Sequence, residues 1–186
     1  MHSSTTFSPG RDTALAARKD GHSVTPHAYD VGLLLLRLAV GLTMAAHGAQ
    51  KLFGWFGGVG LEGTGQALSM SGYPQGRMMA LVAGLSETLG GLGLALGLLT
   101  PLAGAAVVGT MINAMAVTWS GGFFVPEGIE YSLLMAAAGA SLALTGPGRC
   151  AADRFLPFLR HHRLAYGVVA VLFAAVVAGV TLSLRN

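Results

Sequence analysis

The chain is 186 residues long, with 53% hydrophobic and only 10% charged residues. Soluble domains carry charge on about a quarter of their residues, so this composition excludes an ordinary soluble domain and indicates a single membrane domain. The net charge of +3 is interpreted as a topology signal rather than as a nucleic-acid-binding surface, and the single cysteine excludes dithiol chemistry within the chain.

The first 30 residues differ from the rest of the chain. Residues 1–30 are rich in Ser, Thr, His, Gly and Pro and have no apolar period, which predicts a solvated tail rather than a domain. A cleaved signal peptide is not expected, because the first hydrophobic segment begins too late and is too long.

Apolar stretches long enough to cross a bilayer, about 17 to 25 residues, recur five times after this tail. They lie near residues 31–53, 77–99, 102–120, 130–146 and 165–183. The sequence therefore predicts an all-α protein, a polytopic membrane helix bundle with a four-helix core and a fifth, C-terminal transmembrane helix. Its predicted parts are a flexible cytoplasmic tail, a four-helix membrane domain, and a basic linker with the fifth helix, over residues 1–30, 31–155 and 156–186.

Basic residues around these stretches indicate the orientation. Cytoplasmic loops carry an excess of Lys and Arg. In a five-helix arrangement the tail and the segment after the fourth helix lie on one side, and they hold Arg11, Arg18, Lys19, Arg149, Arg154, Arg160 and Arg163. We expect this side, including the N-terminus, to be cytoplasmic and the C-terminus to be outside.

The first apolar stretch contains the strongly polar residues Arg37, His47, Gln50 and Lys51. An ionisable group at the centre of a bilayer costs roughly 2.5 kcal/mol or more, so these side chains should face the protein interior. Arg37, His47 and Lys51 share a helix face. Lys51, however, falls near the outer boundary, where a lysine that snorkels to water is an ordinary anchor.

Two later helices place polar residues at a matching depth. Glu87 and Asn113 fall near the middle of the second and third stretches, between the levels of Arg37 and His47. We expect Glu87 to pair with Arg37 or His47, and Asn113 to complete the hydrogen bonds. Such a cluster either locks the helices together or exchanges protons in a redox or transfer reaction.

Aromatic residues crowd the predicted outer side. Among them are Trp55, Phe56, Trp119 and Phe124. An interfacial belt explains such residues, and some of them could instead wall a pocket for a planar, lipid-soluble ligand.

A glycine pattern between the first two stretches resembles a dinucleotide-binding fingerprint. The glycines are Gly58, Gly60 and Gly63, but they follow a membrane helix and not the strand that this motif requires. We reject the motif and predict a re-entrant loop with a short interfacial helix from Thr64 to Met70.

Several runs of residues together resemble the DoxX family of small bacterial membrane proteins. The resemblance covers roughly residues 31–155. The matching runs are Leu36–Gly41, His47–Gly58 with Gly63-Thr64, Ala83–Glu87 with Gly90-Gly91, Gly121–Phe124 with Glu130-Tyr131, and Leu144–Arg149.

The resemblance implies a four-helix unit of the bacterial inner membrane and an oxidoreductase function. Some relatives form the small, quinone-facing part of thiosulfate:quinone oxidoreductase, and others are linked to oxidative-stress defence. This chain departs from the pattern in its longer tail and in its fifth helix, from Leu164 to Leu184.

The first functional hypothesis is therefore an oxidoreductase subunit that passes electrons to a quinone. No flavin, haem or iron-sulfur motif is visible in the sequence, so another subunit or the quinone itself would carry the electrons. We assign catalytic roles to Glu87, His47 and Arg37, and ligand binding to Lys51, Gln50, Asn113, Trp55, Phe56, Trp119 and Phe124.

A second hypothesis is a non-catalytic membrane scaffold or assembly factor, on which soluble partners dock at the basic segment from Arg149 to Arg163. An oligomer is compatible with both hypotheses, and no metal site is predicted. A small-solute transporter is disfavoured, because no apolar stretch is interrupted by Pro or by an unwound polar segment.

Overall fold

The structure is a computed structural model that describes residues 26–124, 126, 128–155 and 163–186. These residues form six α-helices and three short 3₁₀ turns, with no strand among them. The helices are α1 (Pro26–Phe53), α2 (Gly60–Met70), α3 (Gly76–Leu96), α4 (Thr100–Thr118), α5 (Glu130–Thr145) and α6 (Leu164–Ser183). Most of the predicted tail and most of the basic linker lie outside the described residues.

The fold class predicted from the sequence is confirmed. Within the described ranges, four helices are long and apolar enough to cross a membrane, namely α1, α3, α4 and α6. Helix α5 forms where the fourth stretch was predicted, but it has only 16 residues and spans about 24 Å, less than the roughly 30 Å hydrocarbon core.

Helix α1 begins earlier than its apolar stretch. It starts at Pro26, before Val31, because proline is well accommodated in the first turn of a helix, where its missing N–H would have no partner. The last residues of the predicted tail are therefore helical.

The helices α1, α3, α4 and α5 pack in a ring, and α6 packs on the outside of α4 and α5. Glycines allow α1 and α3 to pack closely. A Cβ atom on Gly91 of α3 would lie only 2.5 Å from the carbonyl oxygen of Gly41 on α1, so a larger side chain would not fit there. Such small residues let membrane helices approach closely. Between the helices lies an apolar core that includes Val40, Met44, Leu94, Val107 and Leu142.

The short helix α2 covers one end of the bundle. It packs against α3 and α1 and begins at Gly60, one turn before the predicted start at Thr64. The chain then turns at Gly72, with φ +88°, and enters α3. We call this end the α2 end, and the opposite end, where the Gly97–Leu99 segment joins α3 to α4, the turn end.

Candidate functional site

Lys51 and Glu87 form an ion pair inside the bundle. Lys51 Nζ lies 2.5 Å from Glu87 Oε2, and the two side chains are 30% and 3% exposed. Lys51 lies in the last turn of α1 and Glu87 in the middle of α3. The prediction of Lys51 as a boundary anchor is therefore corrected: its long stem carries the ammonium inward, because a buried carboxylate without a counter-charge is costly.

Arg37 does not pair with Glu87. It is buried near the turn end, where its guanidinium donates hydrogen bonds to the carbonyl oxygens of Pro147 and, at 2.6 Å, Cys150. Lys51 is 14 residues further along α1, about 21 Å by helical rise. Arg37 therefore anchors the loop after α5, and the catalytic role expected for it is not supported by its contacts.

Asp153 anchors the same region. This buried carboxylate accepts hydrogen bonds from the backbone N–H groups of Leu99 and Thr100, at 2.7 and 3.1 Å, and from the Thr100 hydroxyl. These are donors at the start of α4 that have no partner within the helix. Asp153 thus caps α4 from a distant part of the chain.

His47 and Tyr131 lie beside the ion pair. His47 is one turn before Lys51 on α1, and its ring centroid is 5.3 Å from that of Tyr131, in the first turn of α5. The Tyr131 hydroxyl oxygen is buried and has no hydrogen-bond partner among the described residues. A buried hydroxyl without a partner costs free energy, so it can donate to a ligand that enters this space.

These groups line a cavity of about 540 Å³, a volume typical of small-molecule sites. All six helices contribute to its wall. His47, Lys51 and Tyr131 lie toward the α2 end, Glu87 lies at mid-depth, and most of the remaining wall is apolar. The arrangement can hold a largely apolar molecule and offer it a charged pair, an imidazole and a phenol.

Asn113 lines the same cavity but does not reach Glu87. Its Oδ1 atom accepts hydrogen bonds from Tyr73 Oη at 3.0 Å and from Thr181 Oγ1 at 2.9 Å. Burial raises the pKa of Tyr73, so its hydroxyl stays protonated and donates. Asn113 therefore ties α4 to α6 and to the turn before α3, instead of completing the hydrogen bonds of Glu87 as predicted.

The four aromatic residues predicted to flank a ligand lie outside the cavity. Trp55, Phe56, Trp119 and Phe124 are between 60 and 75% exposed, and none of them lines it. Such exposed rings at the α2 end fit an interfacial belt. The expectation that they wall the pocket is corrected.

Gln50 is also outside the cavity lining. Its Nε2 atom donates to the backbone oxygen of Phe56 at 3.2 Å. It thus supports the 3₁₀ turn at Trp55–Gly57, where Phe56 adopts a positive φ of 53°, unusual for a bulky residue.

Three aromatic residues that do line the cavity were missed as ligand contacts: Tyr73, Tyr131 and Phe173. Tyr73 and Tyr131 resemble belt residues in the sequence, because each stands at the start of an apolar stretch. Their sequence positions gave no signal that separates them from belt residues. Phe173 gave no signal, because one phenylalanine in an apolar helix resembles any lipid-facing residue.

The fold and this cavity define a multi-pass helical membrane protein with a polar internal site. The DoxX family model matches residues 32–120. The chain is also 31% identical over 129 residues to a Bacillus subtilis (strain 168) protein named "Putative oxidoreductase CatD", an alignment that covers 69% of this chain and 90% of that relative. The chain belongs to the DoxX family. No solved structure matches it.

Proposed function

We propose that this protein is the membrane subunit of an oxidoreductase and that a lipid-soluble quinone binds in its internal cavity. The observation that carries the proposal is the Lys51–Glu87 ion pair, whose carboxylate is buried in the wall of a largely apolar cavity of about 540 Å³. The name of the Bacillus subtilis relative supports the reaction class. The cavity chemistry supports the quinone, which combines an apolar body with two oxygen acceptors.

The proposed roles of the residues follow from their positions. Reduction of a quinone to a quinol takes up two electrons and two protons, and here a donor held by a partner subunit supplies the electrons. The Lys51 ammonium and the Tyr131 hydroxyl donate hydrogen bonds to the quinone oxygens, whose charge grows as electrons arrive. Glu87 and His47 pass protons to those oxygens, since a carboxylate and an imidazole are suited to general acid–base chemistry.

The setting we propose is the bacterial inner membrane, with the N-terminus cytoplasmic. The α2 end, with His47, Lys51 and Tyr131, then faces the outer half of the bilayer. A quinol formed in the cavity returns directly to the membrane.

Quinone binding by Glu87→Gln tests the proposal. Glu87 holds the Lys51 ammonium in the cavity wall, and the amide cannot keep this charged contact. Lys51 should then lose its hydrogen bond to the quinone; hydrogen bonds to charged groups are worth about 1.5 to 3 kcal/mol, so we expect binding to weaken by about tenfold or more. The measurement is equilibrium binding of a radiolabelled quinone to the full chain in detergent. Extraction of co-purified quinone from the same preparations provides an independent readout.

Glu62→Gln is the matched control. Glu62 is an exposed carboxylate paired with Arg77 at 2.5 Å, so the same chemical change occurs outside the cavity and binding should not change. A well-folded parent protein that binds no quinone would contradict the proposal. If Glu87→Gln instead lowered only protein abundance or partner recovery, the scaffold hypothesis would replace the redox one.

A further inference from the structure

The cavity opens sideways. Helices α3 and α6 both pack on α4, and the cavity lies between them with α4 as its floor. Its lining includes Val82 of α3 and Phe173 and Val177 of α6, which are 52, 67 and 44% exposed. Residues that line a cavity and are also exposed mark its opening. In a bilayer this opening faces lipid, because α3 and α6 both belong to the helices long enough to span it.

The lining changes character along the cavity. The charged pair stands near the middle of the cavity, and the Tyr131 phenol stands toward the α2 end. Toward the turn end the lining consists of apolar residues, among them Leu102, Ala105, Ala106 and Ala170. Leu102 and Thr118, which both line the cavity, are 16 residues apart on α4 and thus about 24 Å apart by helical rise. The cavity is therefore long, with the charged pair near its middle and an apolar lining between that pair and the turn end.

Small residues line this part of the cavity, where α6 meets α4. Ala105, Ala170 and Ala174 form a buried cluster where α6 meets α4, and side chains of this size let the two helices approach closely. An elongated space of this kind suits one hydrocarbon chain better than a bulky polycyclic molecule.

We infer that the cavity binds a single-chain amphiphile, which enters from the bilayer between α3 and α6. The polar head lies against Lys51, Glu87 and Tyr131, and the chain follows α4 toward Leu102 and leaves past Phe173 into the lipid. The identity of the head group rests on the proposed function, under which the ligand is a long-chain isoprenoid quinone and not a chainless one. The sideways entry rests on the geometry alone.

Photolabelling in vesicles tests the entry route without assuming a quinone. The full chain is reconstituted in phosphatidylcholine vesicles with a single-chain phenol that carries a diazirine in its alkyl chain, and labelled residues are mapped by mass spectrometry. We expect saturable labelling of Ala106 and Thr110 in the cavity wall, called groove labelling below. An excess of the unlabelled amphiphile should compete with it. Tryptophan at both Val82 and Val177 narrows the opening and should lower this labelling about tenfold, equivalent to 1.4 kcal/mol.

Two exposed positions outside the lining provide matched controls. Leu89→Trp on α3 and Val176→Trp on α6 add the same bulk at residues that are 65 and 64% exposed and that do not line the cavity. Groove labelling should persist in both. Equal labelling in the Val82→Trp/Val177→Trp variant, or labelling of the groove that cannot be competed, would overturn the inference.

Competition of the label by quinones in the same vesicles distinguishes this inference from the quinone proposal. Competition of the label by a long-chain quinone, but not by a chainless quinone, supports both. Saturable labelling that neither quinone competes keeps the sideways entry and removes the quinone. Quinone binding by the parent without saturable groove labelling removes the sideways entry and keeps the proposed function.

Discussion

At the scale of single residues, the length of a side chain determines which charged groups can form an ion pair. Lys51 and Glu87 differ in depth when helical rise alone is considered, so an ion pair between them was not expected. Lysine carries its charge on a flexible stem, and here the stem follows α1 inward to Glu87. Arg37 has comparable reach but is held by the loop carbonyls near the turn end. Sequence depth therefore identified the polar residues of the bundle but not their partners.

Removal of the lysine should destabilise the protein more than removal of the whole pair. Lys51→Met leaves Glu87 buried without a counter-charge and should cost about 2 to 3 kcal/mol, below the 3 to 5 kcal/mol of a fully buried pair because Lys51 is partly exposed. The double variant Lys51→Met/Glu87→Leu should recover most of this loss. Thermal unfolding in detergent, followed by circular dichroism, measures both.

Arg77→Met provides the control for the lysine variant. The ion pair of Arg77 with Glu62 is exposed on both sides, and exposed pairs contribute about 0 to 1 kcal/mol. Its loss should leave the unfolding temperature nearly unchanged. A double Lys51 and Glu87 variant no more stable than the single one would show that Glu87 does not depend on Lys51.

At the scale of helices, the sequence specified the elements well but not the surroundings of each polar side chain. Stretches of about 20 apolar residues are sufficient to place spanning helices, because the bilayer sets their length. Asn113 shows the limit: its place on a spanning helix was visible in the sequence, but its partners Tyr73 and Thr181 depend on the position of α6 around the bundle. The order of helices around a bundle is a tertiary property that no single apolar stretch encodes.

The contact of α1 with α3 depends on glycine at position 91. A Cβ atom there would lie 2.5 Å from the backbone nitrogen of Ala45 and from the carbonyl oxygen of Gly41, and backbone atoms cannot move aside as a flexible side chain can. We expect Gly91→Ala to separate the two helices and to lower stability by about 1 to 3 kcal/mol, the usual cost of overpacking. Thermal unfolding in detergent measures the loss.

Gly32→Ala offers a matched comparison on α1. A Cβ atom on Gly32 would meet nothing within 4 Å, so this change only removes a flexible residue from a helix. Alanine is favoured over glycine in helices by roughly 0.5 to 1 kcal/mol, and stability should stay equal or rise slightly. If both alanine variants behaved alike, the close contact of α1 with α3 would not hold in the membrane.

At the scale of the whole molecule, helix α6 completes the wall of the cavity. The DoxX model ends at residue 120, and α6 lies beyond it, yet α6 supplies Phe173, Val177 and Thr181 to the cavity lining. Its far end is fixed, since Arg185 donates to the backbone oxygens of Ser71 and Ala116 at 2.6 and 2.9 Å. Helix α6, which the sequence analysis predicted as a fifth spanning helix apart from the four-helix domain, is thus part of the cavity wall.

The orientation of the molecule can be tested with the cysteine that the chain already has. Cys150 is exposed and lies near the turn end, in the loop that Arg37 anchors. Basic residues on this side predict that it faces the cytoplasm. A membrane-impermeant maleimide should therefore label Cys150 in inverted vesicles and leave it unlabelled in intact spheroplasts.

A reporter at the other end of the bundle makes the orientation test decisive. Ser120 is exposed and follows α4 at the α2 end, so Ser120→Cys in a Cys150→Ser background should give the opposite result, with labelling in spheroplasts only. Labelling of Cys150 from the outside would invert the orientation. His47, Lys51 and Tyr131 would then face the cytoplasmic half of the bilayer, and under the proposed function the protons that pass through Glu87 and His47 would come from the cytoplasm.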